Sequence, residues 1–216
     1  MLYIVSTPIG NLEDITLRAL RILKEVDYIA AEDTRHVQIL LKKYEISNKL
    51  FSFHSYSGVG KLERIVALLK EGKNIALVSD AGTPGISDPA YTLIRRAIQE
   101  DIKISPVPGP SALLAALVMS GKRMNGFVFL GFLPIKKGRQ TLLKSLAAEE
   151  RTIIFYESPY RILKTLNDLL TYLGDREIAI CREITKIYEE ALRLKISDAI
   201  DHFTKNKPRG EFVILV

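Results

Sequence analysis

The fold of this chain is decided by the stretch Ser79-Asp80-Ala81-Gly82-Thr83-Pro84-Gly85-Ile86-Ser87-Asp88-Pro89. The apolar run at residues 74–78 before it predicts a strand, and a helical pattern begins near Ala90. Most turns between a strand and a helix span about 2–6 residues, so a polar stretch of this length is too long for a simple connection. In open α/β sheets, ligands bind beyond the carboxyl ends of the strands. The stretch therefore predicts a ligand-binding loop.

Strand-like and helix-like segments alternate throughout the first half of the chain. The predicted strands are residues 2–5, 27–31, 51–54, 74–78 and 103–107. The predicted helices are residues 15–26 with Asp14 as N-cap, 37–44, 62–69, 91–100 and 111–119. This βαβα order predicts an α/β domain with a mostly parallel, buried sheet.

The second half reads differently after the proline-rich segment at residues 106–111. Its predicted strands are residues 127–132, 152–156, 177–182, 189–195 and 211–216, and its predicted helices are residues 142–150, 160–173 and 197–203. We expect a second α/β domain with a mixed sheet. The expected domains are residues 1–112 and 113–216.

Composition limits the class of protein. The chain has 216 residues, of which 47% are hydrophobic and 26% charged, so it can bury a sizeable core and is not disordered. The single cysteine, Cys181, excludes an intrachain disulfide and favours a reducing compartment. The three histidines lack metal-ligand spacing, so no metal site is expected. With no signal-peptide pattern and no apolar run of roughly 18 residues, we expect a cytoplasmic protein without a membrane segment.

The positive charge is concentrated in the second half. Residues 1–110 have 14 Lys+Arg and 13 Asp+Glu, a net charge of +1, whereas residues 111–216 have 17 and 12, a net charge of +5. A basic half suggests an anionic partner, most commonly nucleic acid. A solvated surface with surplus lysine explains the charge equally well.

Polar clusters follow several predicted strands of the first half. Residues 32–36 contain four ionisable side chains, which either meet a substrate or begin a helix. Residues 7–11 form either a ligand-facing or an ordinary turn. Asp80 and Asp88 could accept hydrogen bonds from a ribose or an amino group, and a metal site there is the weaker reading. Residues 111–112 either leave free N–H groups for a ligand or allow close helix packing.

The second half has comparable clusters. Residues 155–161 combine aromatic and charged side chains after a strand, and residues 182–186 form another charged cluster. The basic segments at residues 136–139 and 205–209 could contact phosphates, or could be solvated turns. The sequence contains neither a G-x-G-x-x-G motif nor a Walker A lysine, which argues against a dinucleotide site and a P-loop NTPase.

Taken together, these motifs are more specific than any one of them. In chain order they are Ser-Thr-Pro-Ile-Gly-Asn at residues 6–11, Glu-Asp-Thr-Arg at 32–35, the stretch at 79–89, Val-Pro-Gly-Pro-Ser-Ala at 107–112, Phe-Tyr-Glu-Ser-Pro at 155–159 and Arg-Gly-Glu-Phe-Val at 209–213. The series resembles the tetrapyrrole methylase superfamily (class III methyltransferases). Within it, nearly the whole chain is similar to the 2′-O-ribose cytidine methyltransferases of small-subunit ribosomal RNA.

The resemblance implies a cleft for S-adenosylmethionine (SAM) between two α/β domains, and a homodimer. The implied cofactor-binding residues are Pro8, Ser79, Asp80, Gly82, Thr83, Ile86, Ser111, Ala112, Tyr156, Glu157, Arg209 and Gly210. Transfer to a ribose hydroxyl also calls for a base or a cation near the target. The catalytic candidates are Asp33, Arg35, Asp88, Glu157 and Glu183, with no choice among them.

The substrate implied by the resemblance is a cytidine in the decoding region of 16S ribosomal RNA, presented on the small subunit. Longer relatives have a C-terminal helical module, which is absent from this sequence, because the sequence stops at Val216 after the predicted last strand. Either this family member lacks the module or the chain is truncated. We expect no DNA partner. Two alternatives stay open: a tetrapyrrole methyltransferase of the same superfamily, and a non-catalytic, cofactor-binding ribosome assembly factor.

Overall fold

The computed structural model of the chain describes residues 1–53, 59–88 and 90–216, which divide into two units, Met1–Ser111 and Ala112–Val216. His54, at the end of the predicted third strand, and Pro89, at the end of the stretch that opens the sequence analysis, lie outside the described residues.

The first unit is built on a parallel sheet. Its strands are β1 (Leu2–Val5), β2 (Tyr28–Ala31), β3 (Leu50–Ser52), β4 (Ile75–Val78) and β5 (Ile104–Val107). They lie in the order β3-β2-β4-β1-β5, and each neighbouring pair is parallel. Every residue of β4 is buried, as expected for a central strand covered on both faces. The predicted parallel α/β sheet is confirmed.

Helices cover both faces of this sheet. They are α1 (Leu17–Glu25), α2 (Thr34–Lys43), α3 (Val59–Lys70) and α4 (Tyr91–Gln99), with a short 3-10 helix at Leu12–Asp14. The apolar sides of α1 and α2 share one core cluster, and those of α3 and α4 share another. The connections leaving β1 and β4, which are neighbours, therefore run to opposite faces of the sheet. This arrangement makes the carboxyl ends of β1 and β4 a topological switch point, where a crevice opens.

Several helix starts differ from the prediction by one to three residues, and the caps explain two of them. Thr16, not Asp14, is the N-cap of α1, and its hydroxyl accepts a hydrogen bond from the Ala19 N–H at 3.1 Å. Asp14 instead belongs to the preceding 3-10 helix. Helix α2 begins at Thr34, three residues before the predicted start, because the Asp33 carboxylate caps it by accepting a hydrogen bond from the Arg35 N–H.

The second unit is built on a mixed sheet. In chain order its elements are α5 (Ala112–Ser120), β6 (Phe127–Phe132), α6 (Arg139–Leu146), β7 (Thr152–Glu157), α7 (Ile162–Leu173), β8 (Glu177–Arg182), β9 (Glu190–Lys195), α8 (Ile196–Lys205) and β10 (Phe212–Leu215). The strand order is β6-β7-β10-β8-β9, in which only β6 and β7 are parallel neighbours. The predicted mixed sheet is confirmed.

One face of this mixed sheet packs on α6, α7 and α8, and the other packs on α5. Cys181 points toward α5, with its Sγ 3.8 Å from the Ala116 carbonyl oxygen. Its side chain is buried, and burial raises the pKa of the thiol to about 11.

Helix α6 begins at Arg139, three residues before its predicted start, and ends at Leu146, four residues before its predicted end. It begins after Gly138, whose φ of 78° suits a glycine, and its first residue is the buried Arg139. The Arg139 side chain points into the unit, where its Nε lies 2.7 Å from Asp168 Oδ2. Of the basic segment at residues 136–139, only the two lysines are thus exposed.

Two classes of feature are not found in the part of the chain that the structure describes. Within residues 1–53, 59–88 and 90–216, no helix is long and apolar enough to cross a membrane. The same residues contain no group of three or more His, Cys, Asp or Glu side chains placed to hold a metal ion.

Candidate active site

The loops that follow β1 and β4 are joined at the switch point of the first unit. The Thr7 N–H donates to the Gly82 carbonyl at 2.9 Å, and the Gly82 N–H donates to the Thr7 carbonyl at 3.0 Å. Gly82 has a φ of 79°, a conformation that side-chain-bearing residues adopt only at a cost. The two loops therefore form one rigid edge beyond the carboxyl ends of β1 and β4.

Hydroxyl groups line this edge. Ser6 Oγ and Thr83 Oγ1 lie 2.9 Å apart, and the Thr7 hydroxyl donates to the Ser79 carbonyl at 3.1 Å. The Ser79 hydroxyl donates to the Ala81 and Gly82 carbonyls at 3.3 Å. Because Ser6, Thr7 and Ser79 are all buried, their polar groups fix the loop rather than face water.

The loop after β5 reaches the same edge through Gly109. A Cβ atom on Gly109 would lie 2.9 Å from Ser6 Cβ and 3.4 Å from the Ser6 carbonyl oxygen, closer than real side chains tolerate. Both residues lie in motifs that carry the family resemblance, at residues 6–11 and 107–112, but the motifs alone did not predict that Gly109 packs on Ser6.

The loop after β2 is tied to the loop after β4 by Asp80. Its Oδ1 accepts a hydrogen bond from the Asp33 N–H at 3.0 Å, and its Oδ2 lies 3.6 Å from His36 Nδ1. Asp33 forms a two-pronged ion pair with the Arg35 guanidinium, with distances of 2.6 and 3.0 Å. The hydrogen bonds from the side chain and backbone of Arg35 lower the pKa of Asp33 to about 2. A carboxylate held in this way caps α2 and is a weak base.

Three carboxyl groups give this edge a negative potential. Burial and the nearby charges of Asp80 and Asp88 raise the pKa of Glu32, in that order of importance. Both oxygens of Asp88 accept the Gly85 N–H at 2.8 Å, and one also accepts the Ala90 N–H at 2.8 Å. Asp88 is therefore occupied in shaping the loop. A cationic ligand is favoured at such an edge, and Glu32 is a functional candidate that the sequence analysis did not single out.

In the second unit, the side chain of Tyr156, a residue of β7, contacts the first turn of α5. Its hydroxyl hydrogen-bonds with the backbone of Leu113, and burial raises its pKa. Its ring contacts Phe129 and Phe132 edge-on, with centroids 5.0 and 5.6 Å apart. Tyr156 therefore lies close to Ala112, the first residue of α5. The resemblance assigns both of these residues to the cofactor site.

Glu157 lies inside the second unit. Its side chain is 0% exposed, and its carboxylate accepts hydrogen bonds from the Ser158 N–H at 2.8 Å and the Thr165 hydroxyl at 2.6 Å. The Arg161 guanidinium lies 3.4 Å away. With these partners, Glu157 holds the turn after β7 in place and has little freedom to contact a substrate.

Glu183 and Gly210 meet in the loops after β8 and before β10. A Cβ atom on Gly210 would lie 2.6 Å from the Glu183 carboxylate carbon, and Gly210 has a φ of 81°. Lys186 Nζ lies 3.0 Å from Glu183 Oε1. Glu183 itself has a φ of 49°, an uncommon conformation for a non-glycine residue and one often found at functional sites. The neighbouring Arg209 is exposed.

The remaining residues assigned by the resemblance have varied environments. Pro8 is buried, Ser111 is half-buried, and Ile86 keeps 45% of its surface exposed.

Comparison with known proteins identifies the relatives of this chain. The family model described as Tetrapyrrole (Corrin/Porphyrin) Methylases matches residues 1–200. A Thermotoga maritima protein called ribosomal RNA small subunit methyltransferase I is 53% identical over 215 residues, covering the whole chain and 97% of that protein. Proteins with the same name from Synechocystis and Escherichia coli O157:H7 are 50% and 47% identical, covering the whole chain and 78% and 77% of their own lengths.

Solved structures share the fold at low sequence identity. Diphthine synthase superposes with a TM-score of 0.79 at 12% identity, covering all of this chain and 88% of that one. A cobalt precorrin-4 methyltransferase superposes with a TM-score of 0.74 at 20% identity, covering 99% and 93%.

Proposed function

Because this chain belongs to the tetrapyrrole (corrin/porphyrin) methylase family, we propose that it is a SAM-dependent methyltransferase of small-subunit ribosomal RNA. The observation that carries this proposal is full-length similarity, at 53% identity, to a protein named for that activity. The order of motifs around the β1–β4 switch point supports the same reading.

The edge at the switch point fits the cofactor. SAM has an ammonium, a sulfonium and a carboxylate group and so a net positive charge, and the side chains of Glu32, Asp80 and Asp88, close enough to interact electrostatically, supply negative charge at this edge. When bound, SAM supplies a methyl group on a good leaving group. We propose that Asp80 and the backbone of residues 79–83 hold its polar groups. Further proposed contacts are Pro8, Ile86, Ser111, Ala112, Tyr156, Arg209 and Gly210, whereas Glu157 acts indirectly by fixing the turn after Tyr156.

The finer proposal concerns the target, the 2′-hydroxyl of a cytidine in the decoding region of 16S ribosomal RNA, methylated on the subunit in the cytoplasm. The protein must align the hydroxyl oxygen with the methyl group and exclude water. In three of the carboxylate candidates, Asp33, Asp88 and Glu157, both carboxylate oxygens are engaged by hydrogen bonds. The Lys186 ammonium and the Glu211 N–H both contact the same oxygen of Glu183, Oε1, at 3.0 and 3.4 Å. We therefore propose Glu183 as the group that accepts the hydroxyl proton, and the exposed Arg35 as a contact to the RNA backbone.

We also propose that the protein works as a homodimer. Helix α5 is apolar all round, and Leu114 and Val118, one turn apart, are 51% and 66% exposed in the single chain. A helix with this composition is normally covered on every side, and a second copy would cover it here.

The experiment that tests the function is methyl transfer from labelled SAM to isolated, unmodified small ribosomal subunits. Free 16S RNA and a tetrapyrrole precursor run in parallel, and the product is mapped by its resistance to alkaline cleavage. We expect label in subunit RNA and one alkali-resistant linkage after a cytidine. Label on the tetrapyrrole would move the protein to the alternative activity. SAM binding without transfer to any of the three would indicate a non-catalytic assembly factor.

A further inference from the structure

Two neighbouring loops of the second unit expose large apolar side chains. They follow the parallel neighbours β6 and β7 and comprise residues 132–137 and 158–161. Phe132 is 52% exposed, Ile135 is 63% exposed and Tyr160 is 96% exposed. A tyrosine that makes almost no contact with its own chain offers a free ring face to a partner.

Partly buried hydrogen bonds join the two loops and fix them to α6 and α7. The Arg161 guanidinium donates to the Leu133 carbonyl at 2.6 Å, and the Arg139 guanidinium donates to the Pro134 carbonyl at 2.9 Å. Arg139 also donates to the Thr165 hydroxyl at 2.9 Å, which in turn donates to Glu157. Because this network fixes the backbone beneath the exposed side chains, a partner that binds them does not have to order the loops as well.

The charge of these loops is positive. Their sequences, Phe-Leu-Pro-Ile-Lys-Lys and Ser-Pro-Tyr-Arg, contain two lysines and one arginine and no carboxylate. Lys136 and Lys137 are both exposed. Since Arg161 is committed to Leu133 and Glu157, the two lysines are the cations that these loops offer to a partner.

We propose that this aromatic–lysine surface, formed by Phe132, Lys136, Lys137 and Tyr160, binds unpaired RNA. Bases stack on the rings while the lysines contact the adjacent phosphates, which is how proteins hold single strands without reading their sequence. Lysine is depleted at protein–protein interfaces, so its presence beside the rings favours RNA over a protein partner. The proposal rests on the proposed function, because it supplies a contact to the ribosomal RNA that surrounds the target nucleotide.

The test uses the full chain and a fluorescein-labelled oligocytidylate of about 12 nucleotides, long enough for one single-strand site. Fluorescence anisotropy measures the affinity of the parent, Tyr160→Phe, Tyr160→Leu and the double variant Lys136→Ala/Lys137→Ala. The matched control is Lys42→Ala/Lys43→Ala, which removes two adjacent exposed lysines from the end of α2. All five side chains are exposed, so the variants are expected to fold.

We expect Tyr160→Leu to bind the oligocytidylate about 5- to 30-fold more weakly, since stacking one base contributes roughly 1–2 kcal/mol. Tyr160→Phe keeps the ring and stays within about twofold of the parent. Removing Lys136 and Lys137 lowers the slope of log affinity against log salt by about 1.4, because each single-strand phosphate that a lysine neutralises adds roughly 0.7 to that slope. The Lys42/Lys43 control leaves affinity and slope unchanged.

Equal affinity of the parent and Tyr160→Leu for the oligocytidylate would overturn the proposal. So would a loss of self-association, measured by sedimentation, in Tyr160→Leu with RNA binding intact, because the surface would then be an interface between copies of the chain. Methyl transfer to small subunits separates this result from the proposed function. Transfer by the parent with an unchanged KM for subunits in Tyr160→Leu rejects the surface alone. RNA binding that depends on Tyr160, without any transfer by the parent, rejects the function alone.

Discussion

At the scale of single residues, the absence of one methyl group allows the loops at the switch point to close. Gly109 packs directly on Ser6, whose hydroxyl lies 2.9 Å from that of Thr83. Any side chain at position 109 pushes Ser6 away from this pair and opens the edge proposed to hold the cofactor.

Gly109→Ala is therefore expected to destabilise the protein by about 1–3 kcal/mol, the usual cost of forcing a methyl group into a packed site. Gly60→Ala is the matched control, because a Cβ there meets nothing within 4 Å and alanine favours the helix by up to about 1 kcal/mol. Urea unfolding measures both variants. Equal stability of Gly109→Ala and the parent would show that Ser6 can shift freely.

Asp80 and Arg35 separate cofactor binding from substrate binding. Asp80→Ala removes an acceptor of the Asp33 N–H and one negative charge, so we expect SAM affinity to fall about tenfold or more. Arg35→Ala leaves that edge intact, so we expect unchanged SAM affinity and reduced methyl transfer to subunits.

Calorimetry measures the SAM affinity of both variants, and the transfer assay measures their methylation of small subunits. Unaltered SAM affinity in the first variant, or unaltered transfer in the second, contradicts the corresponding role.

Glu32 gives the edge a pH-dependent cost in stability. Its pKa in the folded protein lies above its usual 4.5, so the folded state retains the proton to higher pH than the unfolded state does. The stabilisation that the protonated Glu32 gives to the folded state is complete below pH 4.5. It is lost as the pH rises through the raised pKa of Glu32 in the folded protein. Glu32→Gln should consequently be more stable than the parent at pH 7, with the difference shrinking toward pH 4. Urea unfolding of both proteins at pH 7 and pH 4 measures this difference in stability. A difference that does not change with pH would contradict a raised pKa of Glu32 as its cause.

At the scale of elements, a buried network decides where α6 begins and how β7 ends. Arg139, Thr165, Glu157 and Asp168 connect α6, α7 and the end of β7. These bonds satisfy polar groups in the interior, where an unpaired charge is costly.

Arg139→Ala breaks this network on one side. We expect a loss of about 3 kcal/mol in the free energy of unfolding, because Asp168 loses its ion pair and the Pro134 carbonyl and the Thr165 hydroxyl lose a buried donor. Lys144→Ala removes a cation from the exposed side of the same helix and should change stability by less than about 0.5 kcal/mol. Urea midpoints compare the two. Equal midpoints would mean that Asp168, which is partly exposed, is sufficiently solvated without Arg139.

The same element shows what sequence patterns can and cannot predict. Short apolar runs located the ten strands of the described chain, and apolar residues repeating about every 3.6 positions located its eight α-helices. The 3-10 helix at Leu12–Asp14 was not predicted. The predicted start of α6 was wrong, because its first residue, Arg139, is charged and so does not read as a buried position. Arg139 is buried because it pairs with Asp168, which lies 29 residues away in the sequence. The loop at residues 79–88 was identified from its length and composition. The contact between Ser6 and Gly109 beside this loop was not predicted, because it joins residues far apart in the sequence that no local pattern relates.

At the scale of the whole molecule, α5 presents more apolar surface than one copy of the chain covers. We expect the protein to sediment as a dimer, and Leu114→Lys or Val118→Lys to shift it toward the monomer mass, because a charge in an apolar contact is costly. Leu17→Lys is the control. Leu17 is 86% exposed on α1, and its substitution should leave the mass unchanged. A parent that sediments as a monomer at micromolar concentration would contradict the dimer.

The single cysteine has a practical consequence. Alkylating reagents attack thiolates, and a buried thiol with a pKa of about 11 is almost entirely protonated at pH 7 and shielded from reagent. The natural chain is thus close to a cysteine-free background for chemical labelling. A thiol introduced by Ile187→Cys, at a position 94% exposed, would accept a maleimide dye selectively, so distances and dynamics can be followed by fluorescence without first removing Cys181 from the sheet.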